Sequence, residues 1–229
     1  DQAESTSIEF GLDWYGNLVD TVFAPDGDCR LYVLRRGGVP IAAMPVHITT
    51  GRFGTRILAL ANYYSALFGP ALAPIAKASD LAALLRFMMR DNEPVVCFRF
   101  APMDPASVGY RRLFNGMRLA GLAAFQFFCF GNWYQTVTGD WKTYLAARDG
   151  ALRNTARRMG NRFAKAGGRL ELVQGGAGLD AAIDAYDRVY ATSWKNPEPH
   201  PGFVPGLMRL CAQRGWLRLG LAWIGDQPI

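Results

Sequence analysis

The sequence predicts an α/β fold built as two tandem lobes, each a mixed, partly antiparallel sheet flanked by helices. Three observations carry this. Helical and strand periodicities alternate along the first 135 residues and start again after them. Half of the 229 residues are hydrophobic and 19% are charged, enough apolar mass for a large buried core. And a twelve-residue hairpin segment near the start recurs at the end: Arg30–Ile41, RLYVLRRGGVPI, aligns without a gap on Arg218–Ile229, RLGLAWIGDQPI.

Residues 11–23 place Trp14, Leu18 and Val22 at helical spacing, and Pro25, Asp26, Gly27 and Asp28 make a turn. Two β-rich runs flank Arg36-Gly37-Gly38 and read as a hairpin. His47 closes its second strand and has no partner motif nearby, so it reads as an ordinary strand histidine. Residues 55–60 form a strand, followed by Asn62-Tyr63-Tyr64-Ser65, an aromatic and polar loop of the kind that walls a ligand site or packs on itself. An amphipathic helix spans 78–91, with Ser79 or Asp80 as N-cap. A strand at 95–100, a helix at 106–120 and a buried strand at 123–130 (AAFQFFCF) complete the first lobe, residues 1–135.

The second lobe, residues 136–229, opens with a helical segment that runs into a basic helix, Arg148–Gly168. Leu152, Ala156, Met159 and Phe163 form one apolar stripe there. Arg153 and Arg157 make one row of cations, and Arg158 and Arg162 another; Arg148 and Lys165 add to them, and Asp149 is the one acid. Like charges four apart cost helix stability, so such rows point either to a solvated face or to a surface for phosphate or carboxylate. Gly167-Gly168 end the helix, and 169–174 form a strand. A helix covers 178–194, with Leu179, Ile183, Tyr186, Val189 and Tyr190 on one face. The Pro-rich connection 196–201, which holds His200, leads to a helix at 203–214, a strand at 217–224 and the turn Gly225-Asp226. Trp194 reads as a core anchor or a ligand stack, and Lys195 as a helix C-terminal cation or a substrate contact.

A net charge of +6 and a pI near 9.3 favour an anionic partner: a nucleotide, CoA, nucleic acid or a membrane surface. Cys29, Cys97, Cys129 and Cys211 are scattered, with no CxxC or Cys/His cluster, which argues against a structural zinc and for a reducing, cytoplasmic setting. Cys97 and Cys129 lie in apolar runs and read as buried thiols. No apolar run approaches the ~18 residues of a spanning helix, so any membrane association is expected to be peripheral, at the inner face. No Gly-x-Ser-x-Gly elbow, HExxH motif, P-loop or full Rossmann fingerprint is present, which suits direct transfer and equally a protein without catalysis.

A family resemblance runs through the second half. Leu152-Arg153-Asn154 with Arg157-Arg158 in a basic helix come first. Gly168-Arg169-Leu170-Glu171, Ser193-Trp194-Lys195 and Arg214-Gly215-Trp216-Leu217-Arg218-Leu219 follow, and the turn Gly225-Asp226-Gln227-Pro228-Ile229 closes the series. This order resembles the FemAB-like or BioF2-like (CelD-like) acyltransferases of the GNAT superfamily, a group that includes proteins of bacterial polysaccharide biosynthesis. The first half, through Trp14 and Pro40-Ile41-Ala42-Ala43-Met44-Pro45, resembles the degenerate N-terminal copy of the same group. The resemblance implies two GNAT-like lobes and transfer of an acyl group from acyl-CoA (acetyl-CoA), with no metal, to an amine or hydroxyl of a cell-envelope or exopolysaccharide precursor. In the peptidoglycan-bridge branch the donor is aminoacyl-tRNA. Substrate contacts are expected from Arg153, Arg157, Arg158, Trp194, Lys195, Tyr63 and Tyr64, toward an anionic small-molecule or lipid-linked sugar acceptor. No general base is singled out, although Asp187 and Tyr186 qualify by type. A non-catalytic basic module that binds RNA or anionic lipid is the competing expectation.

The family's Gly-rich [Q/R]-x-x-G-x-[G/A] turn holds the CoA pyrophosphate on backbone N–H groups at the start of a helix. The second copy stops at its hairpin, so that turn is expected beyond Ile229, and the second lobe is expected to be truncated and the chain inactive alone. One match, Arg118–Ala123, closes a helix and precedes a strand, the wrong context for a phosphate.

Overall fold

A computed structural model of the chain describes residues 8–23, 27–92, 94–131, 133 and 135–229. Pro25 and Asp26 of the expected first turn lie outside the described residues. The fold is mixed α/β with two sheets, and the chain divides into two compact units, Asp1–Asn132 and Trp133–Ile229.

In the first unit α1 (Leu12–Leu18) buries Trp14 and Leu18 and runs into a wider helical turn over Val19–Phe23. The hairpin of β1 (Asp28–Arg36) and β2 (Val39–Gly51) turns on Gly37 and Gly38, at φ +56° and +81°, a left-handed geometry that glycine adopts without strain. β2 continues antiparallel into β3 (Gly54–Ala59), and the short β4 (Ala71–Leu72) pairs with the start of β2. β3 then pairs in parallel with β5 (Val95–Arg99), which demands a crossover; α2 (Ala78–Asp91) supplies it. Leu81, Leu84, Leu85 and Met88 recur at helical spacing and are buried with Met44, Val46 and Ile57 of the sheet and Leu113 of α3 (Val108–Leu119).

Both ends of α2 are tied to β1. The backbone N–H of Lys77 donates to Asp80 Oδ2 at 2.7 Å, and Arg36 donates to Asp80 Oδ1 at 2.7 Å. Burial alone would raise the Asp80 carboxyl; the Lys77 N–H and the Arg36 guanidinium outweigh it and hold it below its ordinary value. The N-cap is therefore Lys77, and Asp80 caps from the third helical position, where the expectation was Ser79 or Asp80 as the cap residue itself. At the other end the Tyr32 hydroxyl donates to Asp91 Oδ2 at 2.6 Å, and Arg30 donates to the same oxygen at 2.9 Å. His47 falls within β2, not at its end. It packs 4.6 Å from the Phe23 ring, and burial holds its pKa down, opposed by Asp28.

The expected strand 123–130 is corrected. Among the described residues the segment pairs with no strand, and Phe127 and Phe128 are 84% and 88% exposed. An apolar run makes a strand only where a sheet edge accepts its ladder, and the last strand of the sheet, β5, pairs only with β3. Between β5 and this segment lies a groove of about 1070 Å³ lined by Phe98, Phe114, Met117 and Phe125 among others. Cys97 and Cys129 are consequently exposed, not buried thiols. Arg118–Ala123 is a helix C-cap: Gly121 has φ +86° and the Leu122 N–H donates to the Met117 carbonyl at 3.0 Å.

The second unit runs α4 (Trp141–Ala146), α5 (Gly150–Lys165), β6 (Gly168–Val173), α6 (Leu179–Ala191), α7 (Phe203–Gln213), β7 (Leu219–Ile224) and β8 (Gln227–Pro228). The sheet order is β6-β7-β8, antiparallel throughout. Its core consists of small clusters: Val173, Ala182, Ala185 and Leu221 form one, and Ile183, Met208 and Leu217 another. The two hairpins that share the sequence repeat also share register. Arg35 pairs with Pro40 and Arg36 with Val39 in the first; Trp223 pairs with Pro228 and Ile224 with Gln227 in the second. Gly37 and Gly225, aligned by the repeat, both have φ +56°.

Candidate functional site

α6 presents the groups that define a site in the second unit. It buries Ala182, Ile183 and Ala185 against β7 and α7, which turns Tyr186, Asp187 and Tyr190 toward its C-terminal flank. The helix ends at Ala191, earlier than the expected 194, where the Thr192 hydroxyl donates to the Val189 carbonyl at 3.0 Å. Pro197, Pro199 and Pro201 then prevent the helix from continuing, and the connection bends at 199–202. α7 starts at Phe203, which is buried, and tolerates Pro205 in its first turn because N–H groups there have no intrahelical acceptor.

These pieces enclose a cleft of about 420 Å³. Tyr186, Asp187 and Tyr190 line it from α6, Lys195 and Glu198 from the connection, and Pro205 from α7. Burial and the neighbouring Asp184 push the Asp187 carboxyl up, while Arg209 opposes them. Arg209 is itself held by Asp180, its Nε donating at 3.1 Å and its terminal nitrogen at 2.9 Å. Burial, reinforced by Tyr190, Glu198 and Asp187, raises the Tyr186 phenol. The Lys195 ammonium lies 5.7 Å from the centre of the Tyr190 ring. A partly desolvated carboxylate with a raised pKa, beside two phenols, can take a proton from an amine or hydroxyl that enters the cleft.

Of the residues expected to contact substrate, Lys195 alone lines this cleft among the described residues. Trp194 is 93% exposed, which corrects its reading as a core anchor: the helix has ended before it, and the loop holds it clear of the unit's core. Arg153, Arg157 and Arg158 stand on α5, exposed, and among the described residues none of them forms an ion pair; Arg157 donates to Asn154 Oδ1 at 3.2 Å. Tyr63 and Tyr64 belong to the first unit. Their hydroxyls are bonded at 2.9 Å and their rings are 4.3 Å apart, so they form a pair. Glu198 escaped the sequence reading. The signal was present in Asp184/Asp187 and Tyr186/Tyr190, three and four apart on one helix that leads into a proline-rich connection.

Among the described residues no group of three or more His, Cys, Asp or Glu side chains could hold a metal ion, and no helix is long and apolar enough to cross a membrane. Residues 150–229 match the family described as acetyltransferase (GNAT) domain. The match spans α5 to β8 and so takes in both the basic helix and the cleft; it supports the GNAT superfamily for this unit and acyl transfer as its chemistry. GNAT acetyltransferases draw the acyl group from acyl-CoA. Neither the curated proteins nor the solved structures contain a match to the chain.

Proposed function

We propose that the protein is a GNAT-type acyltransferase of the FemAB-like or BioF2-like group. In this reading it moves an acyl group from acyl-CoA, in the simplest case acetyl-CoA, to an amine or hydroxyl of a cell-envelope or exopolysaccharide precursor. The observation that carries it is the family match over residues 150–229. The paired hairpins support a tandem origin for lobes 1–135 and 136–229. The cations of α5, unmatched by carboxylates, suit the phosphates of a nucleotide- or lipid-linked sugar. The phosphate-cradling turn of the family has no counterpart among the described residues, since Arg118–Ala123 is a helix end.

The acceptor's nucleophile enters the α6–α7 cleft and gives its proton to Asp187. It attacks the thioester carbonyl; the new C–N or C–O bond forms, the C–S bond breaks, and the thiolate leaves. Lys195 screens the developing negative charge at the rim of the cleft.

Thermal-shift titration with acetyl-CoA and longer acyl-CoAs is the direct test. A ligand that binds only the native state, at 100 times its Kd, adds about 2.7 kcal/mol. Thiol release with amine and hydroxyl acceptors then reads turnover. Asp187→Asn is expected to lower kcat by roughly 10²–10⁴ while the acyl-CoA shift stays. In the wild type the rate rises with pH as Asp187 ionises, with a midpoint above the ordinary carboxylate value, and this limb disappears in the variant. No shift with any acyl-CoA overturns the acyl-CoA reading. A shift with aminoacyl-tRNA in its place selects peptidoglycan-bridge-type transfer, which the same unpaired cations of α5 would serve.

A further inference from the structure

We propose that α5, with the preceding helix α4, docks on an anionic lipid bilayer. α5 buries none of its sixteen residues. Leu152 and Met159 of its apolar stripe are 45% and 48% exposed, and only Phe163, lying against Gly168, is half-buried. A merely solvated helix would have no use for this stripe.

The cations are placed around it. At about 100° per residue, Arg162 lies about 60° to one side of Met159, and Arg153 about 60° to the other side of Ala156. Arg158 stands behind Arg162, and Arg157 behind Arg153. The stripe therefore has an arginine row along each flank, with Asn154 and Asn161 on the opposite face. Long arginine stems can lie along the apolar stripe while their heads reach upward to phosphates. On α4 Trp141 stacks on Tyr144 at 5.3 Å, and the Arg148 guanidinium sits over the same Tyr144 ring at 4.6 Å. Trp141 is itself exposed, which adds an aromatic ring of the kind favoured at the headgroup level beside one more cation.

Six cations, Arg148, Arg153, Arg157, Arg158, Arg162 and Lys165, stand against one acid. That acid, Asp149, is occupied in capping α5, accepting from the Leu152 N–H at 2.8 Å. Charge complementarity selects an anionic partner. The exposed stripe between the arginine rows selects a bilayer over a nucleic acid, because an interfacial helix buries its apolar face at the acyl boundary and a phosphate backbone offers no such phase. The inference does not rest on the transferase chemistry, and its test uses no acyl donor.

The experiment is co-sedimentation of the whole chain with vesicles of phosphatidylglycerol and phosphatidylcholine, against vesicles of phosphatidylcholine alone. Binding is expected only with the anionic lipid, weakening as salt rises. Leu152→Gln with Met159→Gln should reduce it by roughly tenfold or more, and so should Arg158→Gln with Arg162→Gln. Circular dichroism checks that each pair still folds, and the conservative pair Leu152→Ile with Met159→Leu should retain binding. No sedimentation with anionic vesicles overturns the proposal. So does vesicle binding that ignores the Leu152/Met159 pair, and so does tight binding to an RNA oligomer without vesicle binding, which would make α5 a nucleic-acid surface.

Discussion

α2 and α5 carry the same kind of apolar stripe and meet opposite fates. Leu81, Leu84, Leu85 and Met88 of α2 are buried beneath a four-strand path and α3, whereas Leu152, Ala156 and Met159 of α5 face solvent. Topology accounts for the difference. α2 is the crossover between two parallel strands and is forced to lie on their sheet. Among the described residues α5 touches β6 where it ends, Phe163 lying against Gly168, and no residue of α5 is buried. A stripe says that a helix has a side. Which surface covers that side depends on the connections before and after it.

The widest test of this contrast is a matched pair of truncations. Leu85→Ala should cost about 2–5 kcal/mol in denaturant unfolding, through lost burial and a cavity. Leu152→Ala should stay within about 0.5 kcal/mol. If both cost the same, the α5 stripe is buried in solution, and the comparison fails together with the bilayer surface.

A narrower test uses glycines. A Cβ at Gly116 would lie 2.9 Å from Leu81 Cβ and 3.0 Å from the Ala78 carbonyl oxygen, where α3 crosses α2. Gly116→Ala should therefore destabilise by about 1–3 kcal/mol. Gly160, in the middle of α5, has nothing within 4 Å of such an atom. Gly160→Ala should raise thermal stability, by about 0.5–1 kcal/mol, because a helix interior prefers alanine. A destabilising result at Gly160 would reveal a neighbour on that face of α5.

Local chemistry was legible in the sequence; coverage was not. The two hairpins, with Gly37 and Gly225 at their turns, could be aligned residue by residue, because a two-residue turn leaves strong local marks and the register follows from it. The helix at 78–91 and the basic helix read over Arg148–Gly168, which spans Gly150–Lys165, stood out by period. The segment 123–130 did not behave as its composition suggested, since a strand is a relation between two segments and its edge partner is not encoded in its own residues. The site was half legible for a similar reason. Lys195 was expected to contact substrate, but Glu198 joins it only because three prolines fold the connection back over α6. Trp194, one residue away, points clear of the cleft.

A last effect concerns how α2 is fastened. Asp80 serves twice, capping the helix through the Lys77 N–H and pairing with Arg36 beside the hairpin turn. Its carboxyl is held below its ordinary value in the folded chain, so the folded state favours the ionised form. A depressed acid contributes stability above its unfolded pKa, near 3.9, and loses it as pH falls through the folded value. Asp80→Asn keeps an acceptor for the cap but gives up the charge facing Arg36. It should cost about 1 kcal/mol at neutral pH, and the gap to the wild type should close as the solution is acidified. A gap that persists at low pH would mean that Asp80 acts through its shape and its cap alone. The Arg36 ion pair would then add nothing to the joining of the hairpin and α2, which Tyr32 and Arg30 still tie through Asp91 at the other end.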